Sequence, residues 1–283
     1  MAGFVMQIDT YIIDSFTATP FKGNPTSVCY TQSAIRERDM LAIANELNQP
    51  VTAFIQQIKP GEYSIRYFTP ITEIPACGHG TLGAARAASL ESGLNNVVFN
   101  TKEGVVIHAT IDDDLVMMTY PKYEMQPFKV TKAILKSLPL DAFKSAGYCR
   151  ELECLFIETD ASRLRSIKPD YRKMVQSTNA IVEIVITSAD DTNGYDYLLR
   201  SFCPWIGIDE DPVTGSVHTV LSGFWQQRLN KSQLRAYQAS ARGGEVIVNA
   251  FDDKTEIGGK TAVVLKGAIT LSADSRNSLL HVF

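Results

Sequence analysis

Arg66-Tyr67-Phe68-Thr69-Pro70 and Arg200-Ser201-Phe202-Cys203-Pro204 repeat one RxFxP pattern within a single chain. Each closes a strand-like alternation and leads through a loop into an apolar helical segment, so the two stretches read as copies of one unit. Counting seven residues on from each proline reaches Cys77 in the first half and Asp211 in the second, both expected just before a helix. The residues that follow, Gly78-His79-Gly80-Thr81 and Pro212-Val213-Thr214-Gly215-Ser216, are rich in small side chains. Such residues let a ligand approach the backbone, and the first N–H groups of a helix have no intrahelical partner. Each half is therefore expected to offer an anion site, since a helix N-terminus carries about half a positive charge.

That field would favour a thiolate at Cys77 and lower its pKa. Asp211 is expected to stay ionised, serving as a base or holding an ammonium group. His79 stands in a polar, exposed context and is the third candidate, whereas His218 reads as a hydrogen-bonded core histidine and His108 and His281 carry no signal. The predicted catalytic set is Cys77, His79 and Asp211, with Gly78, Gly80, Thr81, Thr214, Gly215 and Ser216 around a substrate carboxylate.

Outward from these motifs, alternation predicts strands over 5–15 and through Tyr30, then over 52–57, 63–69, 96–101, 104–111 and 114–120. The last three form a meander. A helix is predicted over 34–48 with Ser33 as cap, and another over 79–93, apolar almost all round and ended by Gly93, which belongs inside a wrap of strands. The proline-bearing segment 121–128 reads as a linker. After it the order repeats: strands over 153–159, 181–187 and 195–203, a helix over 213–229, then strands over 234–240, 244–250, 261–266 and 268–273. The predicted division is a first domain over 1–121, a linker over 122–128 and a second domain over 129–283.

A chain of 283 residues exceeds the usual single core of roughly 100 to 200 residues, in keeping with two units. The 27 basic and 31 acidic residues leave a net charge of −4 without long like-charge runs, which speaks against nucleic acid or an anionic membrane as partner. No stretch approaches the roughly 18 apolar residues needed to span a bilayer, and the opening lacks a signal-peptide pattern, so a cytoplasmic protein is expected. The odd set of five cysteines is expected to be reduced, without the paired spacings of a structural zinc site. Gly78, Gly80 and Gly83 do make GxGxxG, but they follow their strand only after an eight-residue loop and Glu103 lies in a hairpin turn, which fails the nicotinamide-binding context.

The motifs GNP at 23–25, RYFTPITEIPACGHGTLGAA at 66–85, RSFCPW with DEDPVTGSVH at 200–218, and ARGGEV at 241–246 resemble the phenazine-biosynthesis PhzF family, in order along nearly the whole chain. The resemblance implies an α+β, diaminopimelate-epimerase-like fold: two pseudo-equivalent domains, each a mixed barrel-like sheet around a central helix, with the site between them. It also implies a homodimer and a cofactor-free proton shift on a cyclic amino acid, as in isomerisation of dihydro-hydroxyanthranilate. One position departs. The family carries its proton-transferring Glu in a stretch like NLSETAF, where this chain reads Asn48-Gln49-Pro50-Val51-Thr52-Ala53-Phe54, and the valine at 51 cannot move a proton. Cys77 resembles the first catalytic cysteine of diaminopimelate epimerases and proline racemases, whose second cysteine is missing here. The expected function is a cofactor-independent isomerase of a small amino carboxylic acid; an epimerase using Cys77, or a silent carboxylate-binding protein, are the alternatives.

Overall fold

The structure is a computed structural model and describes residues 5–190, 192 and 194–272. His281 and the outer ends of the two predicted domains lie outside the described residues. The first half runs β1 (Val5–Ser15), β2 (Asn24–Thr31), α1 (Glu37–Leu47), β3 (Val51–Lys59), β4 (Glu62–Phe68), β5 (Glu73–Ile74), α2 (Gly78–Ser92), β6 (Asn96–Thr101), β7 (Val106–Asp112) and β8 (Leu115–Pro121). The second half runs β9 (Gln126–Pro127), α3 (Lys132–Ser137), β10 (Ser145–Cys149), β11 (Cys154–Glu158), α4 (Ala161–Ser166), α5 (Tyr171–Ser177), β12 (Glu183–Ala189), β13 (Tyr197–Cys203) and β14 (Ile208–Asp211). It ends with α6 (His218–Leu229), β15 (Gln233–Gln238), β16 (Gly244–Ala250) and β17 (Lys254–Ser272).

The architecture is α+β. Strands pair in the cycle β1, β2, β3, β4, β6, β7, β8 and β17, which closes back on β1, so the first half is a closed barrel. Its β2/β3 and β4/β6 pairs are parallel and the rest antiparallel. The second half repeats this order as β10, β11, β12, β13, β15, β16 and β17, again with the second and fourth pairs parallel. The repeat read from ten residues thus extends to the whole strand order.

α2 threads the first barrel. Gly80 to Ala85, Ala87 and Ala88 are all buried, because small residues let a helix fit inside a ring of strands about 10 Å away. Gly93 caps it in the left-handed conformation at φ 73°, which glycine adopts without a Cβ clash. α6 sits likewise in the second half, burying His218 through Gly223 and Trp225. The outer faces of the sheets are covered too. α1 lays Met40, Ile43 and Ala44 over Ile8, Phe54 and Phe68, while α3, α4 and α5 lay Ile134, Leu164 and Met174 over Ile184, Ile186 and Phe202.

Several boundaries differ from expectation. α1 starts at Glu37 after Arg36, whose side chain makes no cap bond, rather than after Ser33. The segment 121–128 is not wholly irregular, since Tyr148 and Gly147 of β10 pair with Gln126 and Pro127. The largest difference is β17. It is one strand of 19 residues rather than two short ones. Its start pairs with β16 and β8, and its end pairs with β1 of the first barrel, where Thr261 faces Ser15 and Leu271 faces Met6. A division at 122–128 therefore assigns residues 261–272 to the half whose sheet they do not complete. Alternation in a sequence shows which face a residue takes but not which distant strand it joins.

At the crossing, a β-carbon on Gly258 would lie 2.0 Å from the Val116 carbonyl oxygen, so only glycine lets β17 pass between the two sheets. Among the described residues the five cysteines are all free, and no helix is long and apolar enough to cross a membrane.

Candidate active site

The RxFxP copies place their arginines alike. Arg66 grips Glu73 with two bonds of 2.7 Å, and Arg200 grips Glu210 at 2.8 and 2.9 Å. Each guanidinium also lies over the following phenylalanine, 5.2 Å from Phe68 and 5.0 Å from Phe202. The partner acid lies seven residues on from Arg66 but ten from Arg200. The turn Pro204–Ile206, absent from the first copy, accounts for the extra length.

This shifts the alignment of the two halves. Tyr67 pairs with Ile74 across β4/β5, and Ser201 pairs with Asp211 across β13/β14, so Asp211 is the counterpart of Ile74. The counterpart of Cys77 is then Thr214, three residues further on, and that of Gly78 is Gly215. The seven-residue count pairing Cys77 with Asp211 is corrected accordingly. Asp211 ends β14, and α6 begins only at His218 after the loop 212–217.

The two copies meet at these positions. A β-carbon on Gly78 would lie 3.9 Å from the Gly215 Cα and from the Ser216 nitrogen. Ser216 is exposed, and Gly78 and Gly215 are half-buried. The start of α2 and the turn before α6 therefore adjoin at one junction, with the Ser216 nitrogen beside Gly78.

Cys77 is the N-cap of α2, its sulfur accepting from the Gly80 N–H at 3.3 Å and lying 3.4 Å from His79 Nδ1. Gly80 has to be small, since a β-carbon there would stand 3.1 Å from that sulfur. The expected low thiol pKa does not arise. Burial pushes the Cys77 thiol up to about 12, and the charge of Asp211 adds to the rise, outweighing the Gly80 and His79 amides. His79 is half-buried rather than exposed, and burial pulls it down to about 4, so at neutral pH it is a neutral imidazole. Its carbonyl is held by the Ser15 hydroxyl at 2.9 Å. Thr81 is enclosed, its hydroxyl donating to the Cys77 carbonyl at 2.8 Å and meeting Tyr67 Oη at 2.5 Å, which makes it a support for α2 and not a ligand contact.

Asp211 is cradled. Thr214 donates from Oγ1 to Oδ2 at 2.5 Å, and Asn24 donates from Nδ2 to Oδ1 at 2.9 Å. Burial nevertheless raises its pKa to about 6, the largest effect, which these two hydrogen bonds only partly offset. It is ionised for the most part at pH 7, as expected, but titrates close to neutrality. Gln238 locks the loop by donating to the Asp211 carbonyl at 2.8 Å and accepting from the Thr214 N–H at 2.9 Å. Asn24 and Gln238 were not singled out from the sequence; the GNP motif was the available signal for Asn24, whose side chain also reaches the Val213 carbonyl at 2.9 Å. Thr214 acts as a hydroxyl brace for Asp211 and is almost fully buried. His218 opens α6, fully buried with Nδ1 2.6 Å from Tyr197 Oη, which is the core role expected of it.

Neither of two cavities on the described surface includes Cys77, His79 or Asp211. One is lined by Met125, Phe156 and Arg228, the other by Phe16, Lys22 and Arg242. Phe16 separates the second from the junction, its ring 3.2 Å from where a Gly215 β-carbon would stand. Among the described residues no group of three or more His, Cys, Asp or Glu could hold a metal ion.

Two like sheets, each threaded by a helix whose start faces the other's, define the diaminopimelate-epimerase-like class, an isomerase-type fold. A probable proline racemase from Agrobacterium radiobacter shares that fold at a TM-score of 0.61 and 12% identity, over 93% of this chain and 92% of its own. The chain belongs to the phenazine biosynthesis-like (PhzC-PhzF) family, whose signature matches residues 13–267. It is 35% identical to the phenazine biosynthesis-like domain-containing protein of Rattus norvegicus, and 32% identical to an uncharacterized isomerase of Halalkalibacterium halodurans, in each case over 94% of this chain and 100% of the relative. A PhzF-family crystal structure from Enterococcus faecalis superposes with a TM-score of 0.86 at 29% identity, covering 94% of this chain and all of its own.

Proposed function

We propose that this chain is a cofactor-independent isomerase that moves a proton on a small carboxylic acid bearing an amino group, bound in a cleft between the two halves. The observation that carries the reading is the meeting of Gly78 and Gly215, which brings two sets of helix-start amides to one place beside Asp211 and Cys77. Those amides would hold the substrate carboxylate. Asp211, mostly ionised at pH 7, would take a proton from a carbon of the substrate, the C–H electron pair moving into its conjugated system. A protonated group would then return a proton to a second carbon, leaving the substrate's atoms unchanged in number. Cys77 holds a proton throughout the neutral range and lies against neutral His79, so these two line the same site as Asp211.

The relative from Halalkalibacterium halodurans carries the name isomerase, which supports the reaction type but not the substrate. The test is exchange of carbon-bound protons in deuterium oxide, followed by NMR, with dihydro-hydroxyanthranilate, proline and diaminopimelate as probes. Exchange by the wild type and a loss of at least about 100-fold in Asp211→Asn are expected. Exchange at an α-carbon accompanied by racemisation would identify an epimerase. Binding of all three probes without exchange would make the chain a silent carboxylate-binding protein and end the isomerase reading.

A further inference from the structure

The structure adds an acid to the set read from the sequence. Thr52 pairs with Phe68 across β3/β4, and Ile184 pairs with Phe202 across β12/β13. Phe68 and Phe202 are the same residue of the RxFxP repeat, so Val51 of the first half corresponds to Glu183 of the second. Both open a strand that pairs in parallel, Val51 in β3 facing Thr26 of β2 and Glu183 in β12 facing Cys154 of β11. The position that is apolar in the first half is thus a carboxyl in the second.

Glu183 shares the inner face of its strand with Val185, which packs in the same core as Val213 and Val217 from the loop before α6. Its carboxyl accepts from the Ser201 hydroxyl, and Ser201 is the cross-strand partner of Asp211. The groups that act on Glu183 or feel its charge are Ser201, Asp211, Cys154 and Cys203. No cation is among them, and among the described residues no ion pair offsets either carboxylate.

We propose that Glu183 is the proton donor that partners Asp211, supplied by the second half at the position where the first half has Val51. This rests on the isomerase reading above and names the group that returns the proton. Two carboxyls near one another in a buried setting do not both ionise readily, so one keeps a proton while the other is charged. Burial, with the charge of Asp211 adding, lifts Glu183 to about 7, above Asp211 at about 6. Asp211, which receives hydrogen bonds from Thr214 and Asn24, is the member better held as a carboxylate, and Glu183, which receives one from Ser201, is the member that keeps the proton. The alternatives are weaker acids or hold no spare proton: the Cys77 thiol releases its proton only near pH 12, and His79 is already neutral. A donor works best when its pKa lies near the working pH. In the step, Asp211 takes the proton from one substrate carbon and Glu183 gives its own to another. The proton on Asp211 then passes to Glu183, restoring both groups with no net gain or loss.

The experiment is the NMR exchange assay on dihydro-hydroxyanthranilate with the full chain, comparing wild type, Glu183→Gln and Asp211→Asn between pH 5 and 9. Glutamine keeps the size and the Ser201 hydrogen bond but has no proton to give. The expected result is a fall in kcat of at least about 100-fold for Glu183→Gln with KM within threefold, at an unchanged circular dichroism spectrum. Wild-type kcat should fall as pH rises through about 7, and that fall should vanish in the residual activity of Glu183→Gln. If Glu183→Gln does not fold, Glu183→Asp, which keeps the acid but shortens its reach, should lower kcat at least tenfold. Full activity in a folded variant at 183, with wild type active, overturns this proposal alone. No exchange by wild type on dihydro-hydroxyanthranilate, proline or diaminopimelate overturns the isomerase reading, and this assignment with it.

Discussion

Gly78 and Gly215 occupy equivalent places in the two halves, and a β-carbon on the first would touch the α-carbon of the second at 3.9 Å. That distance is ordinary van der Waals contact, so one methyl group fits and a branched side chain does not. Gly78→Ala is expected to leave the melting temperature within about 2 °C, since it adds no clash at the first helical position. Gly78→Leu is expected to keep α2 folded while filling the junction, cutting proton exchange at least tenfold. Equal activity in both variants would mean that the substrate does not enter between these two residues.

The height of the Cys77 pKa gives a second prediction. A thiol reacts with iodoacetamide as the thiolate, so a group pushed up to about 12 should alkylate slowly at pH 8 and speed up with every unit of pH towards 11. Mass spectrometry of the modified peptide at several pH values reads this directly. Rapid alkylation at pH 7 would restore the helix-field expectation, in which the N-terminus of α2 holds a thiolate. Cys77→Ala is the control that identifies the peptide.

Much of this site was legible in the sequence, and the errors have physical causes. The all-round apolar pattern and Gly93 gave α2 to within one residue, because a helix buried on every face is decided by its own residues. Cys77 at its cap followed from the same reading. The pairing of Cys77 with Asp211 failed because the second loop holds three more residues, and a loop's length leaves no trace in the strands it joins. The sign of the Cys77 shift was misread because burial, which a sequence does not display, exceeds the helix-terminal field. Glu183 escaped notice for a related reason. Nothing near it in sequence is a motif, and its match to Val51 appears only in the register of strands more than one hundred residues apart. β17 was split in two because its start pairs with its neighbour β16 while its end pairs with β1, about 250 residues earlier in the chain.

Glu183 also carries a stability signature with a defined sign. Its folded pKa of about 7 lies above the ordinary 4.5, so the fold is favoured by this group below pH 4.5 and loses that contribution as pH rises through 7. The full shift corresponds to about 3 kcal/mol, reduced in practice by relaxation and partial exposure to on the order of 2 kcal/mol. Glu183→Gln should therefore unfold at higher denaturant than wild type at pH 8.5, and the two should converge near pH 4. Parallel curves across that range would show that the carboxyl is not held away from water.

The two arginines of the repeat give a prediction about which copy bears more load. Arg200 is the more enclosed, with 11% of its side chain exposed against 23% for Arg66. It grips Glu210 with two bonds and also donates to the Ile167 carbonyl at 2.7 Å and the Leu164 carbonyl at 3.3 Å, tying α4 to β13. Removing it leaves a half-buried carboxylate and two carbonyls without their donor. Arg200→Ala is expected to cost about 3 kcal/mol, in the range for breaking a buried pair from one side. Arg66 pairs with Glu73 and with the exposed Glu37, and Lys102 still reaches Glu73 at 2.9 Å when the arginine is gone. Arg66→Ala should therefore cost about 1 kcal/mol, nearer to a surface pair. Urea unfolding at pH 7 orders the two variants. Because Glu210 adjoins Asp211 and its charge helps raise the Asp211 pKa, an Arg200→Ala protein that still folds should push that carboxyl further up and move the acidic limb of the exchange rate to higher pH. An unmoved limb would mean that the charge of Glu210 does not reach the Asp211 carboxyl.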